Sequence, residues 1–286
     1  MNSVYHDGER YIQEQMGVRD KSDSLRSMIY QEMPVVAAQF LESLNFAVLT
    51  FSNNKQELFS SVLFDLNSFV TILHTREIVI NLEKSSFIPS NILEEKNLNI
   101  GILGLEFENR MRIRVNGEGK IKDNKLHVII HNVYSNCPKY ISDRKIVGKV
   151  DFFDNSIIHK YVILEKACKK IIENSDTFFI ASSYENKDAD ISHKGGKKGF
   201  LKMVYPTQLE FDDFPGNNMY NTLGNIHTNP NISILIVDFA NNDILHINGQ
   251  AKIIESIEKD RKKLKVVIKC TDISIESNKF ALKYNK

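Results

Sequence analysis

The chain has 286 residues, 42% of them hydrophobic, with Lys+Arg 37 against Asp+Glu 36 and a formal net charge of +1. That apolar fraction suffices for a buried core and excludes wholesale disorder, and the charge balance argues against a nucleic-acid partner engaged through a broad basic field. No apolar run approaches the roughly 20 residues that span a bilayer, and the opening residues lack the charged and apolar regions of a secretion signal. Cys137, Cys168 and Cys270 are too few and too widely spaced for a disulfide framework or a Cys-x-x-Cys metal site. The expectation is a cytoplasmic protein without membrane or nucleic-acid partners.

In chain order, residues 1–32 read as a helical extension. Tyr11, Ile12 and Met16, then Leu25, Met28 and Ile29, predict one or two short helices packed on the outside. Residues 33–150 form a first unit. Its helix starts near Pro34, a good first helical residue, and runs through Val35 to Leu44. Strands are predicted at 46–51, 58–64, 68–73, 78–82, 100–107, 110–117 and 126–133, with a hairpin turn at Glu108-Asn109. A linker near 148–155 leads to a second unit, 151–286. Its leading helix is expected to carry Ile157, Ile158, Tyr161, Leu164, Cys168, Ile171 and Ile172 on one apolar stripe, with Cys168 in the core.

The two units repeat each other. Residues 99–121 and 231–253 align without a gap and share ten of 23 positions, including Phe107/Phe239, Asn116-Gly117/Asn248-Gly249 and Lys120/Lys252. The same offset of 132 sets 45–50 on 177–182, and a looser echo sets Lys139-Tyr140 beside Lys279-Phe280. Three echoes in one order indicate an internal duplication. A leading helix followed by many short antiparallel strands describes a small barrel used twice, two six-stranded barrels of the same strand order. The fold class is mainly β with flanking helices, a β-barrel of the α+β class.

The units are unequal in chemistry. Residues 58–64 are apolar, but their counterpart 189–200 holds Ser192, His193, Lys194, Gly195 and Gly196, two further lysines and Gly199. Glycines let backbone approach a ligand, and lysine or protonated histidine donates to an anion. A polar hairpin with solvated lysines is the plain alternative. The next stretch, 211–225, holds Gly216, Asn217, Asn218, Asn221, Thr222 and Asn225, again without a counterpart in the first unit. Asn221 and Asn225 would share one face of a short helix, whose start suits a phosphate. Helix capping is the competing role for these asparagines.

The duplicated barrel together with Ser-His-Lys-Gly-Gly-x-x-Gly-Phe, Pro-Gly-Asn-Asn-x-x-Asn-Thr-Leu-Gly-Asn and Asn-Pro resembles the pyridoxamine 5′-phosphate oxidase-like family of FMN-binding split barrels. Within that family the chain is similar to the long tandem members that carry Asn136-Cys137-Pro138-Lys139-Tyr140-Ile141 and an opening such as Tyr5-His6-Asp7-Gly8-Glu9. The resemblance covers most of the chain up to about Glu258. It implies two tandem split β-barrels and an FMN cofactor whose phosphate is held by Ser192, His193, Lys194, Asn218, Asn221 and Thr222. The isoalloxazine would lie near Ser182, Ser183 and Asn225, at the seam between the barrels, and Lys139 and Tyr140 would contact it from the first unit. The pyridoxamine oxidases use more arginine for the phosphate, and no arginine occurs here between Arg144 and Arg261.

The implied function is an FMN-binding oxidoreductase acting on a small-molecule substrate, with a homodimer as the expected assembly. The alternatives are a non-catalytic flavin-binding or sensing protein, or a deazaflavin- or haem-binding split barrel. Cys137 reads equally as a reactive thiol or a structural residue, and Cys270 as structural. The eight histidines are scattered without ligand-like spacing, so no metal site is expected. No Gly-x-Ser-x-Gly elbow occurs to support a hydrolase.

Overall fold

A computed structural model describes residues 4–135, 137–149, 157–185, 187–258 and 260–285. Asn136 and most of the expected linker lie outside the described residues. The N-terminal extension forms helices α1 (Asp7–Gln15) and α2 (Arg19–Asp23). The first unit runs α3 (Val35–Ser43), β1 (Phe46–Ser52), β2 (Leu58–Phe64), β3 (Val70–His74), β4 (Glu77–Asn81), α4 (Ser90–Leu93), β5 (Leu98–Glu106), β6 (Met111–Lys122), β7 (Lys125–Ser135) and β8 (Ile146–Lys149). The second unit runs β9 (Ile157–Tyr161), α5 (Lys166–Asn174), β10 (Thr177–Tyr184), β11 (Lys187–Gly195), β12 (Lys202–Tyr205), β13 (Gln208–Asp212), α6 (Asn221–Thr228), β14 (Asn231–Asp238), β15 (Asp243–Glu258), β16 (Arg261–Ser277) and β17 (Leu282–Tyr284).

The strand order proves the repeat. The first sheet is β2-β1-β5-β6-β7-β4-β3 and the second is β11-β10-β14-β15-β16-β13-β12, the same path with seven strands rather than the expected six. The protein is mainly β with flanking helices, two tandem split barrels from an internal duplication. Each barrel has its own core, one around Ile100, Ile102 and Val115, the other around Ile232, Ile234 and Ile247. A third cluster, with Phe46, Val48, Phe179 and Leu235, lies between them. Strands β1 and β10 are therefore buried on both faces, which is why the runs Phe46-Ala47-Val48-Leu49 and Phe178-Phe179-Ile180-Ala181 do not alternate with polar residues.

The recurrent Asn-Gly pair is a duplicated bulge rather than a turn. The β6–β7 register shifts at Asn116/Gly117, and the β15–β16 register at Asn248/Gly249. A Cβ on Gly117 would strike the carbonyl oxygen of Ile129, and one on Gly249 that of Lys269, so the crossing strand comes too close for a side chain.

Three expectations need correction. The stripe from Ile157 is not one helix: Ile157–Tyr161 is strand β9, paired with the free end of β16, and α5 begins only at Lys166. β-branched residues next to an unpaired strand edge favour the ladder over the helix. The superposition of 45–50 on 177–182 is one residue out of register. Thr50 pairs with Gly101 and Ala181 with Ser233, so the offset is 131 at these strands and 132 at β5 and β14. A one-residue slip exchanges faces: Phe46 faces the seam, whereas Phe178 fills the second barrel. Finally, α1 is not a peripheral ornament. It lies directly against α6, with Glu9 and Gln13 buried.

Candidate functional site

The centre of the site is supplied by β6 of the first barrel and β11 of the second. Alternation on β6 sends Ile113 and Val115 into the barrel core and leaves Arg112, Arg114 and Asn116 to face β11. Arg114 is 7% exposed. Its Nη1 donates to Asp190 Oδ2 at 3.0 Å and its Nη2 to Ser192 Oγ at 2.6 Å. Tyr134 and Asn116 also donate to Asp190, and Thr222 Oγ1 donates to Ser192 Oγ at 2.7 Å. Burial alone would lower the Arg114 guanidinium, but the Asp190 carboxylate beside it prevails and holds it above its ordinary value. Burial also pushes the Tyr134 hydroxyl far up, and Asp190 adds to the shift. The two form an ion pair buried at the barrel seam, in which the carboxylate is saturated and the guanidinium bonded through Nη1 and Nη2.

Arg112 is placed differently. Its Nη1 donates to His193 Nδ1 at 3.1 Å and its Nη2 to the Cys137 carbonyl, and no carboxylate pairs with it among the described residues. Burial, helped by Arg114, pushes the Arg112 guanidinium down to about 10. Because a guanidinium only donates, His193 Nδ1 must accept and the ring proton sits on Nε2. That Nε2 and Arg112 Nε are buried without a hydrogen-bond partner among the described residues. His193 is 6% exposed, and burial, with Arg112, Arg144 and Lys194 nearby, drives it well below the usual histidine range. The imidazole is neutral at physiological pH.

Two adjoining clefts open beside this centre. One, of about 100 Å³, is lined by Arg112, His193 and Lys194 and by Lys139 and Tyr140 from the first unit. The other, of about 80 Å³, is lined by Asn218, Asn221 and Thr222 at the start of α6. Arg114, Ser192, Lys194, Asp213 and Phe214 border both. No side chain caps α6, whose N-cap is Tyr220 in the left-handed region, so the capping role considered for Asn221 is not taken. Tyr140 reaches across the first cleft, donating to the Pro215 carbonyl at 3.2 Å and lying 5.5 Å from the Phe214 ring.

The sequence-predicted residues divide accordingly. Ser192, His193, Lys194, Asn218, Asn221, Thr222, Lys139 and Tyr140 gather on the clefts. Ser182 and Asn225 do not: both are buried, and Asn225 Nδ2 donates to Ser182 Oγ at 3.0 Å. His6, the residue that caps α1, closes over them, its Nε2 2.8 Å from Asn225 Oδ1 and its ring stacked on Tyr184. Ser183 is likewise taken up by Asn229. The N-terminal segment also holds the asparagine turn, with Glu9 accepting from Asn221 Nδ2 and Ser22 donating to the Asn218 carbonyl. Burial raises the Glu9 carboxyl to about 8.

Sequence reasoning missed Arg112, Arg114, Asp190, Asp213 and Glu9. The arginines absent from the second unit come instead from the first. Their signal was the alternation Arg112-x-Arg114 on the predicted strand 110–117, which places both cations on one face.

No protein-family model matches the chain, and no curated protein matches it. Solved structures similar to parts of it include a variant of HupZ from Group A Streptococcus, with 15% identity over 39% of this chain and 98% of that chain and a TM-score of 0.32. General Stress Protein 26 from Bacillus anthracis gives 14% identity over 41% of this chain and 93% of that chain, TM-score 0.30. A protein related to general stress protein 26, of the pyridoxinephosphate oxidase family, from Clostridium acetobutylicum gives 11%, 37%, 89% and 0.28. These likenesses assign no ligand and no residue role to this chain. No helix among the described residues is long and apolar enough to cross a membrane.

Proposed function

We propose that the chain binds a phosphorylated flavin, FMN, in the groove formed by the two clefts, and works as an oxidoreductase on a small molecule. Arg112 carries the reading: a guanidinium largely withdrawn from water, without a carboxylate partner among the described residues, beside Arg114, Lys139 and Lys194. An uncompensated charge in such a place is costly unless an anion arrives to pair with it. A phosphate among Ser192, Lys194, Thr222 and the uncapped first turn of α6 would supply that anion and accept the open backbone amides.

The fit differs along the ligand. The clefts are smaller than the roughly 300–1,000 Å³ of ordinary ligand pockets, so they suit the phosphate and chain but not the whole flavin. The place at Ser182, Ser183 and Asn225 is filled by the protein's own hydrogen bonds, which does not favour a ring there. The exposed pair Tyr140 and Phe214 offers aromatic faces at the groove's mouth instead. A bound flavin supplies the hydride or electron chemistry. The chain's own residues bind and orient it: Arg112 fixes the His193 tautomer, and the N-terminal segment fixes the asparagine turn. Haem is disfavoured because His193, the histidine of the cleft, is buried and engaged at Nδ1.

The test is a titration of the purified chain with FMN, read by flavin fluorescence, for wild type and Arg112→Met. Loss of one charge-assisted contact is worth about 1.5–3 kcal/mol, or roughly 10- to 100-fold in affinity. Thermal stability should change little in the variant, because the loss of the bonds to His193 and the Cys137 carbonyl is offset by removal of a buried charge that no carboxylate pairs among the described residues. Failure of the wild type to bind FMN ends the flavin reading.

A further inference from the structure

We infer that Asp213 makes the groove select a ligand with hydroxyl groups between its phosphate and its ring, a polyol or sugar phosphate, over a bare phosphate; the inference rests on the phosphate reading above. Asp213 leaves the end of β13, and its backbone N–H is tied to the Leu264 carbonyl at 2.8 Å. Asp213 lines both clefts, the one with Thr222 and the one with Tyr140, so it stands where they adjoin.

The two acids of the site contrast sharply. Asp190 is saturated by Arg114, Tyr134 and Asn116. Among the described residues Asp213 accepts one long side-chain contact, from Lys194 Nζ at 3.5 Å, although a carboxylate offers about four acceptor positions. Its side chain is 16% exposed, so water reaches it only from the clefts, where a ligand would replace it. Burial raises its carboxyl in spite of Lys194, as befits an acid short of donors.

Toward a bare phosphate this acid is a like charge within the binding groove, and it opposes binding. It helps only if the ligand brings donors to that point. Those donors must be neutral, since an ammonium would meet Arg112, Arg114, Lys139 and Lys194. Hydroxyl groups on a chain attached to the phosphate meet both conditions. An aromatic ring joined to phosphate through a single bare carbon, as in pyridoxal 5′-phosphate, does not, whereas the sugar of ribose 5-phosphate carries its hydroxyls next to the phosphate.

Calorimetric titration of the full chain with inorganic phosphate, ribose 5-phosphate and FMN tests this, using wild type, Asp213→Ala and the isosteric Asp213→Asn. Wild type should prefer ribose 5-phosphate to inorganic phosphate by tenfold or more. In Asp213→Ala the two hydroxylated ligands should weaken about tenfold, the scale of one hydrogen bond to a charged group, while inorganic phosphate tightens severalfold. If Asp213→Ala does not fold, Asp213→Asn decides alone: inorganic phosphate tightens and the advantage of ribose 5-phosphate shrinks. Equal wild-type affinity for ribose 5-phosphate and inorganic phosphate overturns the inference. So does a shift of all ligands in one direction, which would make Asp213 merely a counter-ion to Lys194. Selective binding of ribose 5-phosphate without FMN binding supports it while ending the flavin reading. Absence of any phosphate binding overturns both.

Discussion

Strands β2 and β11 hold the same place in their sheets and meet the opposite barrel in opposite ways. Ladder registers set Phe59 against Asp190, Ser61 against Ser192, Leu63 against Lys194 and Phe64 against Gly195. Across the seam, His246 stands where Arg114 does, and Phe280 where Tyr140 does. Around β11 an arginine grips an aspartate, and Gly195 leaves room for the Tyr140 backbone. Around β2 the His246 ring stacks on Phe59 at 5.6 Å, and Phe280 packs on Phe64 at 4.9 Å. Duplication gave the molecule two equivalent seams. One became polar and open, while the other filled with rings around a buried contact, His246 with Glu276 at 3.7 Å. The residues that close each barrel, including the Asn-Gly bulge, stayed alike, because they serve the sheet and not the seam.

The largest expected effect that could break this comparison is at its centre. Arg114→Met strands Asp190 as a buried charge, so stability should fall by about 3–5 kcal/mol. At the equivalent place, His246→Met gives Phe59 an apolar partner but removes the imidazole 3.7 Å from the buried Glu276 carboxylate, which keeps its bond from the Phe87 N–H, so the cost should be smaller, about 1–2 kcal/mol. The double change Arg114→Met/Asp190→Leu should recover more than half of the loss, because a buried pair replaced by apolar groups is often close to neutral. Urea unfolding of the four proteins gives the answer. Equal losses at Arg114 and His246 would show that the two seams are energetically the same.

A second difference lies in the cover. The N-terminal helix lies on α6, and Glu9 is buried against Asn221. The equivalent α4 has four residues, ends early, and carries no such acid. The folded Glu9 value, about 8, lies above its ordinary 4.5. Its contribution to stability is therefore full below about pH 4.5 and is lost as pH rises toward 8. His193, pushed below 6.5, acts in the other direction and costs stability as pH falls. Between pH 5 and 7.5 the wild type should lose up to about 3 kcal/mol relative to Glu9→Gln, at about 1.4 kcal/mol per pH unit. Parallel stability curves for the two proteins would mean that Glu9 is ionised in the fold and that the cover does not depend on its proton.

How much of this was legible in the sequence depended on whether a residue's partner lay nearby in the chain or far away. The strands of the first unit and the pairing of the two units follow from local pattern, whereas the gathering of Ser192, His193 and Lys194 with the 218–222 turn followed from the family resemblance. Ile157 and Ile158 misled, because their helical spacing competes with a strand edge that exists only after β16 has folded. The one-residue slip at β10 was hidden because both of its faces are apolar, so either register looks buried. Arg114 and Asp190 are separated by 76 residues, and Glu9 and Asn221 by 212. Nothing in the neighbourhood of either residue announces its partner. Ser182 and Asn225 looked like ligand contacts for the same reason: the chain's own His6 takes that role.

The smallest effect distinguishes what one hydroxyl does in the two seams. Ser61 and Ser192 occupy equivalent positions and are both buried. Ser61 Oγ bonds within its own unit, to the carbonyl and hydroxyl of Ser86. In Ser61→Ala the Ser86 hydroxyl keeps its bond from the Val62 N–H at 3.0 Å, so little is stranded and the cost should be about 0.5–1 kcal/mol. Ser192 Oγ accepts from Arg114 of the other unit and from Thr222 of α6, tying three elements together. Ser192→Ala leaves a guanidinium N–H and a hydroxyl without acceptors, which should cost about 1–3 kcal/mol. Phosphate affinity separates the pair further: it should fall in Ser192→Ala, where Thr222 loses its anchor, and stay at the wild-type value in Ser61→Ala. Equal losses of stability with unchanged affinity in both variants would mean that the polar seam is built for packing alone.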